Sequence, residues 1–276
     1  MKLSKRHLLH KLYLPFKTEL SSRILRWLEW KYYELKWLAL YGNKDFFESI
    51  SIETNTFCQL HCPFCPNSNN DRGEKKNEIR LSTGIIINLI DELKSIGYKG
   101  RIGLSRFNEP LTDERLVSIV KIIRKALPKN IISIATNGLM LTEKLFLELK
   151  DAGVTEFYVT EYGKSLDKVL ELKEKYGSIL HRRLTEDDPL YNRGGLVTVK
   201  KSFGMRGCQS GYSRAVQVDP SGNIVYCYND YFSDGKMGNL NESSFLDIWK
   251  CDKYKFVRKQ LRKQNYNHSK LCTKCE

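Results

Sequence analysis

Apolar and polar positions recur along this chain with two different periods. Over residues 19–41, Leu20, Ile24, Leu28, Tyr32, Leu35 and Ala39 return every three or four positions, and Trp27, Trp30, Tyr33 and Trp37 widen the apolar side. Arg23, Arg26, Lys31 and Lys36 are interleaved. This spacing predicts one basic amphipathic helix, suited to cover a folded core or to lie in a membrane interface. From residue 50 the period shortens. ISIETNT at 50–56 alternates as a strand does, and further strands are predicted at 101–106, 131–136, 156–161 and 178–184. Helical spacing fills the gaps at 82–96, 112–126, 141–153 and 165–176, with Gly153 as a stop. Strands alternating with helices imply βα units on a parallel sheet. Five strands fall short of a closed eight-stranded barrel, so the expected fold is α/β, a partial TIM-type barrel.

The pattern changes after Pro189. AVQVDPSGNIVYC at 215–227 reads as a hairpin turning on Pro220–Asn223, and a basic helix is predicted at 244–263, ahead of a cysteine-bearing tail. Three regions follow: a basic helical extension at 1–49, a barrel at 50–188, and a hairpin-plus-helix extension at 189–276.

Hydrophobic residues make up 41% of the 276, enough for a sizeable core. Every apolar stretch is interrupted by charge, so no membrane-spanning helix is expected. The N-terminus, MKLSKRHLLHKLYLPFK, lacks the apolar core and cleavage site of a secretory signal, which implies a cytoplasmic protein. The net charge of +14 sits at the ends. Residues 1–50 hold ten Lys or Arg against five Asp or Glu, and residues 250–276 hold nine against two. Such ends suit peripheral contact with a membrane face or a polyanion, or simply two solvated basic helices.

Eight cysteines in a reducing compartment point to metal ligation or catalysis and not to disulfides. Cys58, Cys62 and Cys65 follow the first strand directly. Three thiolates on one loop hold a four-iron cluster with one iron left open, whereas structural zinc asks for a closed set of four. His61 could complete such a set only beside its neighbour Cys62. A second set, Cys208, Cys227, Cys272 and Cys275, can close a site completely, either zinc or an iron–sulfur cluster. Cys251 is left over, as a free cysteine on the predicted basic helix.

Cys58-x-x-x-Cys62-x-x-Cys65, with Phe64 before the third cysteine, resembles the signature of radical S-adenosylmethionine (SAM) enzymes. The resemblance implies a 4Fe–4S cluster whose open iron binds SAM. Reductive cleavage then yields methionine and a 5′-deoxyadenosyl radical that abstracts hydrogen. It also implies a small reduced electron donor such as flavodoxin or ferredoxin. Asn108-Glu109-Pro110 resembles the family's Gly-Glu-Pro motif, and Thr136-Asn137-Gly138 resembles a turn near SAM. Phe64, Asn108, Glu109 and Asn137 are therefore expected at SAM.

The second cysteine set, with Asp219–Asn223 in the hairpin and Asp247-Ile248-Trp249 in the helix, resembles the SPASM extension or its shorter twitch form, which carries an auxiliary 4Fe–4S cluster. Four cysteines fit the twitch form. The stretch Asn192-Arg193-Gly194-Gly195 resembles one in twitch-type dehydrogenases that oxidise a cyclitol hydroxyl, and implies that Arg193 meets substrate. Those enzymes have an aromatic residue and an acid where this chain has Tyr228-Asn229, so a partner for a substrate amine is missing. The implied activity is oxidation of a hydroxyl on a sugar-like or cyclitol-like small molecule, with the auxiliary cluster taking an electron. Two alternatives are a maturase acting on a ribosomally made peptide and a zinc protein binding nucleic acid through its basic ends.

Overall fold

A computed structural model describes residues 19–162, 166–185, 187–202 and 214–275, with side chains from residue 27 onward. Cys208 lies outside the described residues. Two compact units are present, Met1–Phe46 and Phe47–Glu276. The first contains helix α1 (Glu19–Tyr41), over the span its apolar spacing predicts. Trp37 is buried, with the Trp30 and Tyr33 rings each centred 5.6 Å away. Trp27, Leu28, Tyr32 and Leu35 remain exposed.

The second unit is built on one sheet of eight strands in the order β5-β4-β3-β2-β1-β6-β7-β8. Strands β1 (Ser49–Ile52), β2 (Arg101–Gly103), β3 (Ile132–Thr136), β4 (Glu156–Glu161) and β5 (Ile179–Arg183) are parallel neighbours. Helices α2 (Thr83–Ser95), α3 (Leu116–Ala126), α4 (Glu143–Ala152) and α5 (Asp167–Tyr176) connect them in turn. Strand alternation sends Ile50, Ile52, Ile102, Ile134, Phe157, Val159 and Ile179 to one side, where all are buried. The helices bring their own apolar stripes, such as Ile86, Leu89, Ile90 and Leu93 of α2. Phe146 of α4 packs on Phe157 of β4 at 4.8 Å between rings. Each such residue contributes about 1.5–3 kcal/mol. Ser82 caps α2, Thr142 caps α4, and Gly153 at φ 121° stops α4.

The sheet does not close, as expected of a partial barrel. The predicted hairpin adds to this sheet: β6 (Ala215–Val218) lies parallel to β1 on the side away from β2, followed by antiparallel β7 (Asn223–Val225) and β8 (Lys236–Asn239). Asp219 shapes the β6–β7 turn by accepting the Ser221 and Asn223 N–H groups, and Gly222 takes φ 82°.

Strand β2 stops at Gly103 and not at 106, α3 starts at Leu116 and not at 112, and β8 is a strand that the spacing does not predict. Two further differences have a visible cause. The first strand ends at Ile52 and not at 56, because the chain from Thr54 to Thr56 pairs with the returning limb at Ile79–Leu81 and so closes the neck of the cysteine loop. The single basic helix is two, α6 (Phe245–Lys250) and α7 (Asp252–Arg262). Cys251 breaks them with extended dihedrals (φ −65°, ψ 151°), and its sulfur caps α7 by accepting the Tyr254 N–H at 3.4 Å. Arg258 holds the break. It donates to the Trp249 carbonyl at 2.9 Å, and its guanidinium lies 3.8 Å over the Trp249 ring.

Candidate active site

Directly after β1 come four buried polar residues, Glu53, Thr54, Asn55 and Thr56. Burying Glu53, Asn55 and Thr56 is tolerable because their side chains are bonded, while the Thr54 hydroxyl is buried with no partner among the described residues. Glu53 accepts both terminal nitrogens of Arg72 (3.1 and 2.9 Å), Nη1 of Arg106 (3.3 Å) and the Phe107 N–H (3.3 Å). The Asn55 amide donates to Glu78 (2.8 Å) and Thr112 (3.0 Å) and accepts from Asn108 (2.9 Å). These bonds fix both limbs of the loop carrying Cys58, Cys62 and Cys65. Further ties run from the Cys58 N–H to the Gly73 carbonyl (3.1 Å) and from the Glu109 N–H to the Phe57 carbonyl (2.9 Å).

The three thiols are free and half-buried. Burial pushes Cys58 up to about 12, with the nearby Glu109, Cys65 and Cys62 adding to it and the Leu60 N–H opposing. Burial and the adjacent Cys65 push Cys62 up to about 11. Cys65 is also raised by burial, against the Asn67 N–H and the cations Arg193 and Arg72. His61 turns its Nδ1 to the Asn67 carbonyl at 3.0 Å.

Facing this loop are the ends of β2 and β3. Glu109 is buried, and burial raises its carboxyl. It accepts from the Thr136 hydroxyl (2.6 Å), the Asn137 N–H (2.8 Å) and the Leu111 N–H (3.1 Å), so it clamps the β2 loop to the β3 turn. Gln59 donates to Asn137 Oδ1 at 3.4 Å, leaving Gln59 Oε1 and Asn137 Nδ2 buried with no partner among the described residues. One unpaired acceptor and one unpaired donor suit a small zwitterion carrying an ammonium and a carboxylate. Asn108 instead spends its amide on Asn55 and on the Arg106 N–H, within the loop scaffold. The Phe64 ring lies 5.4 Å from that of Tyr162.

Arg193 occupies the left-handed region at φ 54°, followed by Gly194 at 69° and Gly195 at 86°. A non-glycine residue held there is strained by about 1–3 kcal/mol, as happens at functional positions. Its guanidinium lies 5.7 Å over Phe107 and 5.2 Å over Tyr228, and Nη1 donates to Asn229 Oδ1 at 2.8 Å. The segment is anchored on the C-terminal tail by the Asn192 amide, which donates to the Lys274 carbonyl at 2.9 Å. Of the second cysteine set, Cys227 and Cys272 are buried and Cys275 is half-buried. Each has a polar group close by. The Asn229 N–H points to Cys227 Sγ (3.4 Å), Asn229 Nδ2 to Cys275 Sγ (4.0 Å), and the Tyr226 hydroxyl lies 3.7 Å from Cys272 Sγ.

Comparison with known proteins fits this arrangement. Residues 52–160 match the radical SAM superfamily model, and residues 208–276 match SPASM, an iron–sulfur cluster-binding domain. The chain is 30% identical over 239 residues to the S-adenosyl-L-methionine-dependent 2-deoxy-scyllo-inosamine dehydrogenase of Niallia circulans, covering 83% of this chain and 92% of that one. The chain belongs to the radical SAM superfamily. Its fold superposes on BtrN in complex with AdoMet and 2-DOIA with a TM-score of 0.74 at 28% identity, over 84% of this chain and 93% of that one. An open conformation of BtrN gives 0.65 at 26%, over 82% and 91%. Streptococcus suis SuiB bound to its precursor peptide gives 0.51 at 14%, over 82% and 70%, a likeness of fold alone.

The protein is thus a radical SAM oxidoreductase, with a domain for SAM and its 4Fe–4S cluster and an iron–sulfur cluster-binding domain of SPASM type. Among the described residues no three His, Cys, Asp or Glu side chains stand so as to hold a single metal ion. The fit of clusters therefore rests on the donor sets. The Cys58, Cys62 and Cys65 thiols interact with one another, and metal binding would deprotonate them against their raised pKa values. At the second set the Asn229 N–H groups near Cys227 and Cys275, and the paired Tyr226 and Ser269 hydroxyls near Cys272, suit thiolates. Gln59, Tyr162, Tyr226 and the Glu53–Arg72–Arg106 cluster were not legible from motifs. The available signal was Glu53 itself, a charge at the inner end of an apolar strand.

Proposed function

We propose that this radical SAM enzyme oxidises a hydroxyl of a cyclitol-like or sugar-like small molecule to a carbonyl. In this reading Cys58, Cys62 and Cys65 hold the SAM-binding cluster, and Cys208, Cys227, Cys272 and Cys275 hold an auxiliary 4Fe–4S cluster. Residues 189–276 serve as the auxiliary-cluster region after the barrel at 50–188. When bound, the clusters and SAM supply one-electron cleavage of SAM, removal of a hydrogen atom from the carbinol carbon and an acceptor for the remaining electron, while the hydroxyl proton leaves to base or water.

The chain's own residues bind and orient. Gln59, Asn137 and the Glu109 clamp receive the amino-acid end of SAM, and Phe64 with Tyr162 borders it. Arg193 binds substrate oxygen. The observation that carries this reading is the placement of Arg193. It acts electrostatically on Cys65 on one side and bonds Asn229, which contacts Cys227 and Cys275, on the other. A substrate held at Arg193 therefore lies between a radical source and an electron acceptor. The relative from Niallia circulans acts on an inosamine. Here Asn229 offers no charge to an amine, and the following Asp230 spends its carboxylate on the Asp234 and Gly235 N–H groups. A hydroxyl-bearing substrate without that amine fits better.

Electrons reach the first cluster from a small reduced donor such as flavodoxin or ferredoxin. The exposed Trp27, Leu28, Tyr32 and Leu35 of α1, with Lys31 and Lys36, support peripheral contact with an anionic surface. No helix among the described residues is long and apolar enough to cross a membrane. The test replaces Cys272 and Cys275 by Ala. SAM cleavage should persist while ketone formation collapses, and undiminished ketone formation would overturn the electron-acceptor role.

A further inference from the structure

Asn229 is buried, and every polar group of its side chain, together with its N–H, has a described partner. Its N–H points to Cys227 Sγ, its Nδ2 to Cys275 Sγ, and its Oδ1 accepts from Arg193. One residue, through its backbone N–H and its side chain, thereby links two cysteines 48 positions apart to the arginine of the substrate site. An amide can face two ways. The Arg193 guanidinium fixes the choice, because a cation attracts the carbonyl end and so turns the N–H end to sulfur. Arg193 cannot readily drift, since Asn192 is tied to Lys274 and a side chain on Gly194 would run into Leu271.

We propose that Asn229, oriented by Arg193, is a positioning residue that raises the reduction potential of the auxiliary cluster. This rests on the reading that Cys227, Cys272 and Cys275 bind that cluster. Hydrogen bonds to cluster thiolates draw off electron density and favour the more negative, reduced form, which makes the cluster a better electron acceptor. A carboxylate at 229 would have no side-chain N–H to give to Cys275 and would set a third negative charge beside two thiolates. Asparagine is therefore a functional choice and more than the loss of an acid. Arg193 would bind substrate and tune the acceptor with the same guanidinium.

The full-length protein is reconstituted anaerobically as wild type, Asn229→Leu, Asn229→Asp, Arg193→Met and the Leu/Met double variant. Iron and sulfide are quantified, and each cluster is titrated by EPR. We expect the auxiliary midpoint to move negative in Asn229→Leu and further in Asn229→Asp. Arg193→Met should move it the same way, with the double variant shifting less than the sum of the two, because both act through one hydrogen bond. Unchanged auxiliary midpoints in variants that retain full iron overturn the proposal, as does strict additivity. A variant that loses the second cluster is replaced in the series by Asn229→Ser, for which the same negative shift is expected. A wild type holding only one cluster fails the underlying cluster reading instead, and its iron content alone reveals that.

Discussion

The Glu53 carboxylate offers the sharpest test of how this site is held. It is fully buried and faces two guanidinium groups, Arg72 and Arg106, with Arg106 itself fully buried. Glu53→Gln keeps size and shape but removes the charge, so two buried cations lose their common counterion. Removing one partner of a buried ion pair costs about 3–5 kcal/mol, chiefly because the remaining charge is stranded. Arg72 is the more exposed of the two, with 18% of its side chain accessible, and can partly recover hydration. Arg106 cannot. The expected loss is therefore about 3–4 kcal/mol, which corresponds to roughly 10 °C in Tm for a chain of this size. Because Arg72 and the Phe107 N–H position the cysteine loop and the β2 loop, iron uptake by the first cluster should fall as well. Anaerobic denaturant unfolding followed by circular dichroism, with iron quantification, measures both. A Gln variant within about 1 kcal/mol of wild type and with full iron would refute the hub as described.

Two further outcomes follow from other parts of the fold. At the start of the strands, burial would raise the Glu156 carboxyl, but hydrogen bonds from Arg101 and Tyr158 outweigh it and hold the group below the ordinary carboxylate value. A lowered acid stabilises the fold above its unfolded pKa and loses that contribution as pH falls through the folded value. Glu156→Gln should therefore cost about 1 kcal/mol at neutral pH and nothing once wild-type Glu156 is protonated, as read from unfolding curves between pH 7 and 3. Gly194→Ala places a side chain at φ 69° with its Cβ 2.3 Å from Leu271 Cδ1, next to Cys272. It should cost about 1–2 kcal/mol and lower iron at the second cluster while the first stays loaded, which iron analysis with EPR of each cluster resolves.

Much of the fold was legible because alternation is a local signal. Phe157 and Val159 predict strand β4 to the residue, and the stripes of α2 and α3 needed only their spacing. The termini were less so. The Asn55–Arg80 bridge that ends β1 early joins residues 25 positions apart, and no window of sequence contains it. Strand β8, Lys236–Asn239, has only Met237 buried and carried no alternation to read. The break at Cys251 depends on Arg258 lying over Trp249, a contact that a helical spacing pattern cannot express. The cysteines were legible because thiolate ligation needs a specific residue type. The polar scaffold was not, because Glu53, Arg72, Arg106 and Asn67 are ordinary residues until folding buries them together.

That scaffold explains how the first three cysteines and Cys227, far apart in sequence, keep a common register. Sheet pairing alone does not do it, since the Cys58 loop and the segment after Cys227 both lie beyond their strands. Side chains bridge the gap instead. Arg106, bound to Glu53, also donates to the Asp230 carbonyl, and the Tyr228 hydroxyl donates to the Arg106 carbonyl at 2.7 Å. The Tyr231 hydroxyl donates to Asn67 Oδ1 at 2.7 Å, and Asn67 in turn donates to the Phe107 carbonyl at 3.1 Å. Residues 228–231 are thus bonded to the loop of the first triad and to the β2 loop at once. Each bond alone is worth about 1 kcal/mol, but all except the half-buried Tyr228 bond are buried, so releasing one of these leaves a polar group unsatisfied at a cost of about 1–3 kcal/mol. The segment after Cys227 is therefore held in one register with the loop of Cys58, Cys62 and Cys65, and under the proposed function a substrate at Arg193 would meet a fixed geometry toward both.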